Sequence, residues 1–384
     1  VGNRECIELA RLEEEGLLRR MRTWRRKGVI LYDDEGKEYV DYSSNDYLGL
    51  SQHSALVEAA KNAIDQYGVG SAASRLISGT SPVHEECEAI IAHHKESDGA
   101  LLFSTGMMAA QSGVKSLFGK EDTVILDKLS HACLVDAARE CGARVRVFPH
   151  NDLNKLESLL KSESDRLSAG GRIGVVVESV YSMDGDICPL SEVVALKEKY
   201  GAFLLVDEAH GLGVLGAKGM GLAEELGLQS RIDLQMGTLG KAAGGAGGYL
   251  SCSQIIRDTI VNKGRSFIFT TAPPPSQAAV AKAAIQLIAS SEGEGLRKKL
   301  SSNRELLQGL SGRGMPSAIC PIILGANEVA LSASERMVEA GFYAPAVRYP
   351  TVARGTARLR VTLNSLHTNE QIEKLWEIIG DERQ

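Results

Sequence analysis

From Gly99 onward the chain alternates short, nearly unbroken apolar runs with stretches whose apolar residues recur at helical spacing. The runs are Ala100–Phe103, Thr123–Leu126, Val145–Phe148, Gly174–Val177 and Phe203–Val206, and amphipathic segments at 107–118, 132–140, 152–162 and 191–200 separate them. Strand and helix alternating at this interval predict a parallel sheet covered by helices on both faces. Strands that are apolar at almost every position fit burial from both sides. In such sheets the polar residues just past the strand ends face the ligand crevice. Ser104-Thr105-Gly106, Asp127 to His131, Glu178 to Ser182, Asp207-Glu208-Ala209-His210 and Thr238 to Lys241 all take that place.

The flanks follow a different rhythm. Residues 5–26 read as a charged helix, followed by strands at Val29–Tyr32 and Glu38–Tyr42 around the turn Asp33-Asp34-Glu35-Gly36. Pro273-Pro274-Pro275 interrupts the alternation, and helical segments continue to about residue 311. A strand at 317–323, a helix at 328–340, a strand at 358–363 and a last helix from Asn369 then suggest a smaller α+β unit. The expected division is an arm over 1–45, a large domain over 46–280 and a small domain over 281–384.

Composition narrows the class of protein. With 384 residues, two packed domains of ordinary size are expected. A net charge of −6 gives no general attraction to nucleic acid, and no stretch reaches the roughly 20 apolar residues of a membrane span. The first residues lack a signal-like apolar core, so a cytoplasmic enzyme is expected. The seven cysteines are scattered singly, with no Cys-x-x-Cys pair, and read as reduced, small buried hydrophobes.

Lys241 is the residue of greatest chemical interest. It follows the run Ile232–Met236 and a Gly-Thr-Leu-Gly turn, 34 positions beyond Asp207 at another strand end. An amine for an aldehyde, an anion for a ring nitrogen and a hydroxyl-plus-glycine turn for a phosphate are what a pyridoxal phosphate site requires. An exposed loop lysine is the plain alternative. Gly106 opens a helix just after a strand, where the free N–H groups of Gly106 and Met107 suit a phosphate, or where the glycine merely allows a tight turn. His131 and His210 each follow a strand end and suit stacking on a ring or bonding to a phenolic oxygen. Ser182 could donate to the same oxygen, or could simply serve the turn Tyr181–Asp186. The Asp-x-Asp of that turn lacks a calcium loop's glutamate, so no metal is expected. Asp-Glu-Ala-His also occurs in nucleic-acid-dependent ATPases, but no Gly-x-x-x-x-Gly-Lys-Ser/Thr loop accompanies it. Arg358 and Arg360 share one strand face and could grip a carboxylate or form a domain-interface salt bridge.

Together these motifs resemble the α-oxoamine synthases, vitamin-B6 enzymes of the aspartate-aminotransferase fold (fold type I), from about Tyr42 to Leu375. The resemblance is carried by Ser44–Leu50, Ser74–Thr80, Leu129–Ala132, Tyr181–Asp186, Asp207–Gly211 and Gly237–Ala242. It implies pyridoxal 5′-phosphate as cofactor, with Lys241, His131 and Asp207 catalytic. Lys241 would carry the Schiff base, Asp207 pair with the pyridine nitrogen and His131 stack on the ring. Ser182 and His210 would approach the phenolic oxygen, while Gly106, Met107 and Thr238 would hold the cofactor, mainly at its phosphate. Arg19, His131, Thr351 and Arg360 would touch substrate.

Within the family, Phe148–Asp152 and Tyr349–Thr362 are most similar to the branch that serves biotin biosynthesis, which implies L-alanine and a pimeloyl thioester, on CoA or acyl carrier protein, as substrates. Homodimers are the rule in the family and are expected here. A glycine-using sibling and a non-catalytic partner subunit are the competing readings. The chain departs from the family in having Gly240 where a serine usually precedes the lysine, and Met107 where an aromatic is common.

Overall fold

A computed structural model describes residues 3–167 and 170–380. The arm contributes β1 (Arg25–Lys27), β2 (Ile30–Tyr32) and β3 (Glu38–Asp41). The alternating region gives β4 (Gly99–Phe103), β5 (Thr123–Asp127), β6 (Arg144–Phe148), β7 (Ile173–Glu178), β8 (Phe203–Asp207), β9 (Leu234–Thr238) and β10 (Gly248–Cys252). The last part supplies β11 (Ile319–Gly325), β12 (Phe342–Tyr343), β13 (Ala346–Val347) and β14 (Ala357–Thr362).

The central sheet has the order β4-β10-β9-β8-β7-β5-β6. All its neighbours are parallel except β10, which runs against both β4 and β9. The loop over 239–247 is too short for a crossover, so β10 must return antiparallel. The glycine tract 244–248 hides this strand in the sequence. Every residue of β4, β5, β7, β8 and β10 is buried, as a sheet covered on both faces demands. Leu101, Phe103, Leu126, Val176, Leu205 and Met236 pack into one apolar layer, and Leu102, Ile125, Val175, Val177, Leu204 and Val206 into the other. The fold is therefore the mainly parallel α/β architecture expected.

Two smaller sheets flank it. β11-β14-β13 is antiparallel, and β12 joins β3 in parallel, so the arm is stitched to the C-terminal part. The arm corrects one expectation: its helix covers Asn3–Glu14, not 5–26. Gly16 takes a left-handed φ of 64° just past its end, the usual helix-stopping conformation. Trp24 then packs edge-on against Tyr39 and Tyr343, which holds the chain extended into β1. The triple proline breaks the pattern as expected, and helix Pro275–Ala289 starts on its last member, where a missing N–H costs nothing.

All seven cysteines are free thiols. Cys87, Cys133, Cys188, Cys252 and Cys320 are buried, whereas Cys6 is exposed and Cys141 half-buried. Among the described residues no helix is long and apolar enough to cross a membrane.

Candidate active site

Parallel register places the chemistry. Pairing of β8 with β9 sets Asp207 level with Met236, two residues before Thr238, and pairing of β7 with β8 sets Glu178 beside Asp207. The Asp207 carboxylate is 4% exposed and accepts the Ala209 N–H at 2.9 Å. Among the described residues no cationic nitrogen lies within salt-bridge distance of it. Burial raises its pKa, and the field of Lys241 opposes that rise. A carboxylate so placed favours a cation in contact with it.

Lys241 stands in the 239–247 loop, which is tied by Leu239 N–H to Gly247 O and Gly245 N–H to Leu239 O, both 2.9 Å. Gly244, at φ 67°, presses on the backbone of Leu50 and Ser51, where a Cβ would come within 2.5 Å. Burial draws the Lys241 amine down to about 8 against the opposing pull of Asp207 and Glu178. Its Nζ lies 2.7 Å from His210 Nε2, and Tyr47 Oη lies 2.6 Å from His210 Nδ1. Burial, with Lys241 and Arg360 nearby, holds His210 far below the ordinary histidine range, so its ring is neutral. Tyr47 Oη is also 3.2 Å from Asn45 Oδ1, which accepts both Arg360 Nη groups at 3.2 Å. A continuous polar chain thus runs Lys241, His210, Tyr47, Asn45, Arg360.

The second cluster forms where β4, β9 and β10 meet. Gly106 opens helix Gly106–Leu117, and Thr105 caps it by accepting the Met108 N–H at 3.2 Å. That leaves the Gly106 and Met107 N–H groups as first-turn donors. Thr238 Oγ1 donates to Gly247 O at 3.0 Å and accepts the Gly240 N–H at 3.3 Å, and a Cβ on Gly106 would stand 3.7 Å from it. A Cβ on Gly248 would meet Gly106 Cα at 2.6 Å, so only glycine permits this approach. Gly248→Ala is therefore expected to displace the helix start and weaken cofactor binding by about tenfold or more, measured by fluorescence titration. Gly240 has more room, with nothing nearer to an added Cβ than 3.7 Å. Gly240→Ser should add one hydroxyl donor and tighten cofactor binding by about fivefold in the same titration.

His131 caps helix Ala132–Glu140. Its Nδ1 accepts the Cys133 N–H at 3.3 Å, with Cys133 Sγ at 3.0 Å, so the neutral ring carries its proton on Nε2. Its own N–H donates to Glu178, a carboxyl raised by burial and by Asp207. The His131 ring is accessible yet crowded by protein atoms, and that desolvation keeps it below the ordinary histidine value despite Asp207.

Ser182 is buried in the 181–186 turn, and its carbonyl accepts Arg360 Nε at 2.6 Å. The two arginines of β14 part company here. Arg358 forms a salt bridge with Asp184 at 2.6 Å and donates to Met183 O at 3.1 Å. No carboxylate among the described residues lies within salt-bridge reach of Arg360, which points into the polar chain. The Asp-x-Asp of the turn is likewise engaged, Asp184 by Arg358 and Asp186 by His150. Arg19 and Thr351 meet each other, Nη2 to Oγ1 at 3.2 Å, and join the arm to the loop after β13. No hydrogen bond among the described residues links that pair to the Lys241 chain.

Asn45, Tyr47 and Glu178 received no role from the sequence. Only their place in the Ser44–Leu50 motif and at the end of β7 pointed to them. The residues present fit pyridoxal phosphate. A buried, cation-free carboxylate, a depressed amine within its field and a glycine-lined helix start with a threonine hydroxyl supply the three attachments such a cofactor needs.

Residues 37–379 match the family Aminotransferase class I and II. A curated relative from Geobacter sulfurreducens, named 8-amino-7-oxononanoate synthase, is 43% identical over 96% of this chain and 94% of its own. Among solved structures, serine palmitoyltransferase from S. paucimobilis, with bound PLP-myriocin aldimine, superposes with TM-score 0.91 and 30% identity, covering 99% of this chain and 96% of that one. An 8-amino-7-oxononanoate synthase from Francisella tularensis gives 0.76 and 28%, covering 90% and 98%.

Proposed function

The chain belongs to the aminotransferase class I and II family and, within it, to the α-oxoamine synthases, and from that membership we propose that it is an 8-amino-7-oxononanoate synthase. It joins L-alanine to a pimeloyl thioester with loss of carbon dioxide, a step of biotin biosynthesis. The observation that carries this reading is the depressed Lys241 amine held in the field of buried Asp207, in a chain 43% identical to a relative of that name. Pyridoxal phosphate supplies, when bound, an aldehyde for an amine and an electron-withdrawing ring that stabilises negative charge at the amino acid Cα.

Lys241 would hold that aldehyde and would serve as the base that takes and returns the Cα proton of the substrate. An amine near 8 is suited to both directions of transfer at neutral pH. Asp207 would keep the ring nitrogen protonated, and His131 would cover the ring. Neutral His210 and Ser182 would hold the phenolic oxygen. Gly106, Met107 and Thr238 would hold the phosphate, and Arg360 would take the alanine carboxylate. Arg19 and Thr351 contact the acyl chain from the arm side. The assembly is a homodimer divided into an arm over 1–45, a large domain over 46–280 and a small domain over 281–384, acting in the cytoplasm.

The depressed lysine fixes a pH dependence. Only the neutral amine attacks an aldehyde, so capture of cofactor by apoprotein should rise about tenfold per pH unit up to about 8 and level off above it, as read by stopped-flow absorbance. Stability follows the same proton. Between about 8 and the ordinary lysine value of 10.5 the unfolded chain binds the proton that the folded one has released, so apoprotein stability should rise with pH across that window.

Carbon dioxide release, measured with alanine and glycine against pimeloyl-CoA, pimeloyl carrier protein and acetyl-CoA, tests the assignment. Alanine with a pimeloyl thioester should give the highest rate. A preference for glycine with the acetyl thioester would reject it.

A further inference from the structure

Three strand-end turns meet at a histidine that the chemistry above does not use. His150 follows β6, and its two ring nitrogens bridge two carboxylates, Nδ1 at 2.9 Å from Asp127 Oδ1 and Nε2 at 2.6 Å from Asp186 Oδ2. Tyr181 meets the ring edge-on, with centroids 4.3 Å apart. Asn151, in left-handed backbone at φ 54°, doubles the link. Its N–H donates to Asp127 Oδ2 at 2.9 Å and its side-chain amide to Asp186 Oδ2 at 3.1 Å. Burial opposes a charge on His150, but the two aspartates outweigh it and hold the ring up at about 10. The bridge is therefore ionic at neutral pH.

Each end of the bridge leads toward the active site. Asp127 Oδ1 accepts the Leu129 N–H at 2.7 Å and so shapes the turn that delivers His131. Asp186 closes the other turn, where its carbonyl accepts the Tyr181 N–H at 3.0 Å. The Ser182 carbonyl in that turn accepts Arg360 Nε at 2.6 Å. We propose that His150 is a positioning residue: by bridging Asp127 and Asp186 it fixes the Ser182 turn and, through the Ser182 carbonyl, aims the Arg360 guanidinium at the carboxylate of the incoming amino acid. This rests on the reading of Arg360 as the carboxylate anchor.

The test is a double-mutant cycle on the holoenzyme. His150→Gln should keep normal cofactor content, raise the alanine KM about tenfold and change kcat by less than about threefold. Arg360→Lys should raise the same KM by at least as much. The double variant should then show no more than about twofold beyond the larger single effect, because one change already removes what the other acts through. Asp186→Asn, which cuts only one end of the bridge, should raise the alanine KM in the same direction with cofactor retained. KM factors that multiply in the double variant overturn the proposal, as does loss of cofactor in both His150→Gln and Asp186→Asn. An unchanged KM in Arg360→Lys rejects the carboxylate anchor itself, which distinguishes failure of that reading from failure of the bridge.

Discussion

Lys241→Ala is expected to lower condensation activity by about 10³-fold or more and to abolish the covalent attachment of cofactor. The effect is large because two duties fall on one nitrogen. On the proposed assignment the amine that holds the aldehyde also moves the Cα proton, and among the described residues no second lysine is hydrogen-bonded to His210. The surroundings of Lys241 are built for that amine alone: His210 Nε2 is 2.7 Å away, and burial has already lowered its proton affinity to about 8. Borohydride treatment followed by peptide mass analysis gives the readout. Wild type should yield a reduced adduct on the peptide containing Lys241, and the variant should yield none. A variant that keeps even a tenth of wild-type turnover would remove Lys241 from its role.

Asp207→Asn should be the second most damaging change. A buried ion pair broken from one side costs roughly 3–5 kcal/mol, which corresponds to about 10²–10⁴-fold in rate when the pair supports the developing charge. The amide is close in size to the carboxylate and still accepts the Ala209 N–H, so the loop after β8 should keep its shape. What it would lose is the anion proposed to keep a ring nitrogen protonated. Exchange of the alanine Cα proton with deuterium, followed by NMR in the absence of thioester, isolates that loss from acyl transfer. Exchange as fast as in wild type would show that Asp207 does not support the carbanion.

Local patterns announced those two residues, and the limits of such patterns explain what escaped. β4, β5, β7 and β8 were legible because strands buried on both faces must be apolar throughout, and the polar residues closing them were legible as crevice residues. β10 was not, since a glycine-rich entrance masks Tyr249 to Cys252 and its antiparallel course has no signature of its own. The arm helix was drawn too long because Leu17, Leu18, Met21 and Trp24 keep a helical spacing beyond Gly16, whose left-handed backbone ends the helix. Arg358 and Arg360 could not be told apart from spacing, since their difference lies in Asp184 and Asn45, which come from distant segments. Asn45 and Tyr47 sit in a recognisable motif, yet their contact with His210 and Arg360 joins residues more than 150 positions apart. The His150 bridge escaped for the same reason, its partners lying 23 and 36 positions away.

The reversed strand β10 also sets the order in which this molecule can be assembled during synthesis. Gly248 pairs with Thr238 in a short hairpin but also with Phe103, whose segment leaves the ribosome far earlier. Closing that long chain loop is entropically slow compared with forming the hairpin. Until it closes, the Gly106 helix start and Thr238 are not side by side. A cofactor held at the proposed site between Gly106 and Thr238 would therefore be acquired by a chain already translated past Cys252.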